Sequence, residues 1–151
     1  MIFDAQNYLS DGQVLVASGA STNSIAIGAA NRRLFGGELL RFLVWLDAEA
    51  KDSDANETYT VKAQTDDNEG FLSPTDISPA TTIPRGSAVG ARFYVEASRD
   101  ALVNGFIRLY FTLGGTDPDV SVSAVLLPEE WSAGVHGAND GNAFPIGYTV
   151  A

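Results

Sequence analysis

The sequence predicts one all-β domain, an antiparallel sandwich or jelly roll with extended terminal segments. Three observations lead there. Residues alternate in character with a period of two, no segment carries a sustained helical period, and turn-forming clusters recur between short apolar runs. The chain has 151 residues, one domain's worth, and 45% of them are hydrophobic, enough for a sizeable core. Neither an internal repeat nor a linker divides it, so residues 1–151 are read as a single unit.

Taken in order, strands are expected at Val14–Ala17, Ser24–Ile27, Leu39–Asp47, Thr58–Thr65 and Ala91–Ala97. In the third, Leu40, Phe42, Val44 and Leu46 form one apolar row, taken as inward. In the fourth, Tyr59, Val61 and Ala63 alternate with Thr60, Lys62 and Gln64. The clearest text is "FIRLYFTLGGTDPDVSVSAVLL", Phe106 to Leu127. Ile107, Leu109, Phe111 and Leu113 share one face of a strand. Val120, Val122, Ala124 and Leu126 share a face of the next, with Ser121, Ser123 and Val125 opposite. Gly114-Gly115-Thr116-Asp117-Pro118-Asp119 between them reads as the loop of a hairpin. Helical turns are expected only at Pro128–Trp131 and Ser98–Val103. The last stretch, "SAGVHGANDGNAFPIGYTVA", either caps the sandwich edge or forms an extended arm over 132–151 ordered by a neighbouring subunit.

Charge narrows the partners. The formal net charge is −10, and a surface of that sign repels nucleic-acid phosphate and anionic membranes. No apolar stretch reaches the roughly 20 residues that span a bilayer, and the opening "MIFDAQNYLSDGQ" lacks the features of a secretory signal. The absence of cysteine excludes disulfides, thiolate catalysis and cysteine-based zinc sites. Seven of the nine basic residues are Arg, the residue of ordered bidentate contacts, which suggests interfaces.

Reactive constellations are weak. His136 is the only histidine and lies in a Gly-rich stretch; Asp140 follows four residues on, but no nucleophile elbow accompanies them. Glu129 and Glu130 are adjacent and cannot face each other across a glycosidic bond. The loop Asp52-Ser53-Asp54-Ala55-Asn56-Glu57 opens with calcium-loop spacing. It lacks glycine at position six and has Ala63 where a bidentate Glu is needed, so a solvated acidic loop is the better reading. Asp66-Asp67-Asn68-Glu69 could add ligands only if the two loops meet. Asn56-Glu57-Thr58 matches a glycosylation sequon. No catalytic residue, cofactor or metal is assigned.

What remains is the outward face. With the even-numbered row of 39–47 inward, Leu39, Arg41, Leu43, Trp45 and Asp47 point out, as do Arg92, Tyr94 and Glu96, and Phe106, Arg108 and Tyr110. If these strands share a sheet, its outer face gathers Arg, Trp and Tyr, the residues enriched in binding hot spots. The interface residues selected are Arg41, Trp45, Arg92, Tyr94, Arg108 and Tyr110. The terminal anchors Phe3, Tyr8, Phe144 and Tyr148 join them.

The opening "MIFDAQNYLSDGQ", the strand "GGELLRFLVWLD" and the pair "IRLYFTLGGT" and "VSVSAVLLPE" resemble the capsid cement (decoration) proteins of tailed double-stranded DNA bacteriophages, of the small jelly-roll type. The resemblance spans the chain and rests on strand-and-turn patterns. It implies a non-enzymatic virion protein made in the host bacterial cytoplasm. Bound outside the shell, it would cross-link neighbouring major capsid protein subunits and pair with copies of itself. The alternative is a carbohydrate-binding jelly-roll module, calcium-assisted through Asp52, Asp54, Asp66 and Asp67. A hydrolase with unrecognised acidic catalysts ranks last.

Overall fold

The computed structural model describes residues 7–27, 39–98 and 105–127. Ten strands are described: β1 (Tyr8–Leu15), β2 (Gly19–Ala20), β3 (Ile25–Ile27), β4 (Leu39–Ala48), β5 (Thr58–Asp66), β6 (Thr75–Asp76), β7 (Thr81–Thr82), β8 (Arg92–Ser98), β9 (Gly105–Gly114) and β10 (Val120–Leu126). The first sheet runs β1-β10-β4-β8. The second runs β2-β9-β5-β6, with β3 also on β9 and β7 also on β5. Every pairing is antiparallel. The pairs are nested, the first strand with the last, β2 and β3 with β9, β4 with β8, and β5 with β6 and β7.

The two sheets pack face to face as a sandwich. Each long strand supplies one inward row: Leu40, Phe42, Val44 and Leu46 from β4; Tyr59, Val61 and Ala63 from β5; Ile107, Leu109 and Phe111 from β9; Val120, Val122, Ala124 and Leu126 from β10. The apolar rows read from the sequence are therefore the inward rows of all four strands, although β10 is buried on its other face as well. At about 25 cal/mol per Å² of apolar surface removed from water, this core is the main term holding the layers together.

Two expectations change. Residues 106–113 and 120–126 are not a hairpin, because β9 lies in the second sheet and β10 in the first. The loop between them is an arch that crosses the sandwich. A hairpin would set the two apolar rows side by side in one sheet; the arch buries them against each other. Its crossing is pinned to the segment before β5. The Tyr59 hydroxyl donates to Lys51 O (2.8 Å) and accepts from the Asp119 N–H (3.1 Å), Lys51 N donates to Asp119 O (3.0 Å), and Asn56 Nδ2 donates to Thr116 Oγ1 (2.8 Å). Burial holds the Tyr59 phenol above its ordinary pKa, so it stays a donor.

The first strand also differs. It covers Tyr8–Leu15, where only Val14–Ala17 was expected, and residues 16 and 17 bend away. Its pairing with β10 shifts between Tyr8 and Ser10 and again between Ser10 and Gln13. Gly12 adopts a positive φ of 63° there, and its N–H donates to Ser123 Oγ (2.9 Å). This irregularity breaks the alternation that would have revealed the strand. The turn-rich stretch 67–87 adds the short strands β6 and β7. The helical turn expected at Pro128–Trp131 lies outside the described residues. So does that at Ser98–Val103, apart from Ser98, which ends β8 as strand. The 132–151 arm lies outside them as well. Among the described residues no helix is long and apolar enough to cross a membrane.

Candidate interaction surface

The outer face of the first sheet gathers five of the selected residues. Register places Tyr8 beside Val125, Val125 beside Leu43 and Leu43 beside Tyr94, a row that crosses all four strands. The neighbouring row is Ser123, Trp45 and Arg92, and Arg41 stands beside Glu96. Because Leu46 N donates to Ala91 O, the β4–β8 pairs 41/96, 43/94 and 45/92 are the non-hydrogen-bonded ones, whose side chains approach most closely.

These contacts make the face rigid. Leu43, Val125 and Leu127 form a second, smaller apolar cluster against which Tyr8 and Trp45 pack. The Tyr8 and Trp45 rings meet edge to face with centroids 6.3 Å apart. Arg41 Nε donates to Glu96 Oε2 (2.7 Å), and its guanidinium lies 5.6 Å from the centre of the Tyr94 ring. Ser123 Oγ donates to Asp47 Oδ2 (2.5 Å). Tyr94 remains 49% exposed.

Tyr8 was selected as a terminal anchor and proves to be a strand residue in this face. Leu43, Val125 and Leu127 were not selected. The signal for them was the run Ala124-Val125-Leu126-Leu127, where alternation stops, as it does in strands buried on both sides.

Arg108 and Tyr110 do not belong to this face. They lie on β9, in the other sheet, so the three strands expected to share an outer surface present two surfaces on opposite sides of the sandwich. There Arg108 is held within the chain. Its Nε donates to Gln64 Oε1 (3.0 Å), and its guanidinium sits 4.2 Å from the Phe71 ring centre and 5.5 Å from that of Tyr110. Desolvation lowers its pKa from a very high ordinary value. Phe3, Phe144 and Tyr148 lie outside the described residues, as do Glu129, Glu130, His136 and Asp140.

The acidic loops do not converge. Asp52 and Asp54 precede β5, and Asp66 and Asp67 stand at its far end, about 26 Å away at about 3.3 Å per residue. Each set has local work. Arg85 Nε donates to Asp52 Oδ1 (2.9 Å), and Asp54 N donates to Glu57 Oε2 (3.1 Å). Asp66 accepts from Ser73 N (2.7 Å) and Asn68 N (3.1 Å), which fixes the loop that lays Phe71 on Arg108. An open groove of 570 Å³ beside β7 is lined by Asp52, Glu57, Tyr59, Ile83 and Arg85, whose polar groups make the contacts just given. Among the described residues no cluster of three or more acidic or histidine side chains could hold a metal.

The amides of Ser73 and Asn68 hold the Asp66 carboxyl below the usual carboxylate range, chiefly the former. Lys62, then Gln64, does the same for Asp76. A depressed folded pKa means stability that is complete above the unfolded value and is lost as pH falls through the folded one. Thermal melts should therefore show acid-induced weakening below about pH 4. Asp66→Asn should melt lower at neutral pH, and the gap to wild type should close in acid. A constant gap at every pH would reject the assignment.

No protein-family model and no curated protein matches the chain.

Proposed function

We propose that this protein is a capsid cement protein of the jelly-roll type. It binds the outside of a phage shell through the outer face of the β1-β10-β4-β8 sheet and cross-links neighbouring major capsid protein subunits. The observation that carries the reading is the convergence of Tyr8, Arg41, Trp45, Arg92 and Tyr94 on that one sheet face. Aromatic and Arg side chains over an apolar centre, with a polar margin, have the composition of a protein-binding surface. The nested strand pairing supports the jelly-roll topology, since a long antiparallel ribbon wrapped on itself pairs its strands in that order.

The physical role follows from the architecture. A cement subunit resists internal DNA pressure by staying rigid while gripping two neighbours. Its second grip is intramolecular once the first has formed, so each contact can be modest. The negative net charge keeps decorated particles apart. No bond-making step belongs to this role, and the site of action is the virion's outer surface. The glycan-binding alternative loses its calcium-assisted form because its four acids stand at opposite ends of β5.

The test is mechanical. Capsids of the encoding phage that lack the protein should bind it saturably and withstand heating better when decorated. Binding without saturation, or shells no more heat-resistant with the protein than without, would count against the proposal.

A further inference from the structure

The outer face of the second sheet holds a cation without an anion. Arg108, on β9, donates through Nε to Gln64 Oε1 (3.0 Å) and makes no ion pair among the described residues. Neither of its Nη groups has a hydrogen-bond partner among them. The guanidinium nevertheless lies half-buried, 4.2 Å from the Phe71 ring centre and 5.5 Å from that of Tyr110. Removing a charge from water without a counter-charge is costly, so the two open donors are what this arrangement leaves to be filled.

Neighbouring groups fix the direction of that fork. Gln64 is buried, and its Nε2 donates to Asp76 Oδ1 (3.0 Å), so its amide oxygen is the end that meets Arg108. The other oxygen of Asp76 accepts from Lys62 Nζ (2.6 Å). Beneath the guanidinium, Phe71 is buried and holds a positive φ of 52°, a region that bulky residues avoid. Such strain persists only where the surroundings enforce it, and it clusters at functional positions. Here Asp66 enforces it by accepting from Ser73 N and Asn68 N, one on each oxygen. That carboxylate is thereby engaged within its own loop.

The rest of the face narrows the kind of anion. Register sets Tyr110 beside Lys62 and Thr112 beside Thr60, on the same side of the sheet as Arg108. Tyr110 is half-buried and Thr112 is exposed. The large exposed hydrophobics of the described chain lie elsewhere, none of them on β5 or β9. A protein-binding patch has an apolar centre. One aromatic ring among hydroxyl and cationic side chains suits a sugar instead, whose C–H face packs on the ring while its hydroxyls bond around it. We infer that this face binds an acidic saccharide, a hexuronic acid, with its ring on Tyr110 and its carboxylate on the Nη groups of Arg108.

A hexuronate carries its carboxylate at the edge of the pyranose ring, close to the ring's own plane. Arg108 stands two residues along β9 from Tyr110, about 6.6 Å, so a ring seated on Tyr110 directs its carboxylate along the strand at Arg108. With Nε engaged by Gln64, the carboxylate accepts end-on from Nη1 and Nη2, in the paired geometry a planar anion makes with Arg. Partial burial strengthens that attraction. The net charge of −10 opposes it only at long range, and at about 0.15 M ionic strength charges beyond about 8 Å are screened. The site needs no calcium. It lies on the other sheet from the proposed shell contact, and neither depends on the other.

Methyl esterification of the ligand tests this without altering the protein. Isothermal titration with an oligogalacturonate at about 0.15 M ionic strength should show saturable binding. The methyl-esterified oligomer, with the same rings and no charge, should bind about tenfold or more weakly. Arg108→Lys keeps the charge, loses the fork and should also weaken binding by about tenfold. Circular dichroism controls for folding, and the comparison of acid with ester on wild type stays decisive if the variant does not fold. No saturable binding, an ester that binds as well as the acid, or an Arg108→Lys protein equal to wild type would each overturn the inference. So would inorganic phosphate, or a short peptide with a free terminal carboxylate, that displaces the oligogalacturonate at equal concentration, because charge alone would then explain the binding. Capsid binding is read separately. A protein that binds the acid and ignores capsids refutes the cement role and leaves this inference standing, and one that decorates shells and ignores the acid does the reverse.

Discussion

Gly115→Ala is expected to lower the unfolding free energy by about 3 kcal/mol, while Gly90→Ala should cost only about 1–2 kcal/mol. Both glycines have positive φ, 101° and 88°, so both substitutions force a side chain into a region L-residues avoid. They differ in their surroundings. A Cβ on Gly115 would come within 2.7 Å of Asn56 O and of Glu57 Cα, whereas one on Gly90 would meet nothing within 4 Å. The obstacle at Gly115 is backbone and cannot swing aside. Denaturant unfolding measures both costs, and their difference isolates the steric part. The experiment also tests the β5–β9 register, because Gly115 stands opposite Glu57, one step beyond the Thr58–Gly114 pair. Equal costs at the two positions would mean that this approach is not made in solution.

Tyr8→Ala/Trp45→Ala should still fold and should weaken capsid binding by about 2 kcal/mol or more, roughly thirtyfold. Arg108→Ala/Tyr110→Ala should leave capsid affinity within about threefold of wild type, since hot spots act only where they touch the partner. The reasoning is geometric. Tyr8 and Trp45 sit on the outer face of the first sheet, where their rings meet edge to face. Arg108 is occupied by Gln64, Phe71 and Tyr110 on the opposite side of the sandwich. Affinity for capsids, measured by co-sedimentation beside a thermal melt of each variant, separates the faces. The reverse pattern would move the contact to the second sheet.

Much of the fold was legible because alternation reports burial one strand at a time. The inward rows of β4, β5, β9 and β10 could be listed from residue character alone. What alternation does not report is which strand lies alongside. The loop Gly115–Asp119 suits a hairpin and an arch equally by composition, and the decision rests on contacts with Lys51, Asn56 and Tyr59, more than fifty positions away. The same limit split the candidate face. Arg108 and Arg41 look alike in sequence, each one step from an aromatic or apolar neighbour on a β-strand, and only sheet membership separates them. The Arg41–Glu96 pair likewise depends on register, which links two strands far apart in the chain. Tyr8 shows the converse. Its chemistry marked it for selection, but its strand was hidden where the Gly12 irregularity interrupts the pattern.

The central claim is that this two-layer β body works by being held between capsid subunits through one sheet face. Electron cryomicroscopy of capsids lacking the protein, after incubation with a saturating amount of it, tests this most directly. The claim predicts ordered density over the joins between major capsid protein subunits, with Trp45 and its neighbours against the shell. Bare capsids at saturating protein, or density that meets the shell through the opposite sheet, would contradict it.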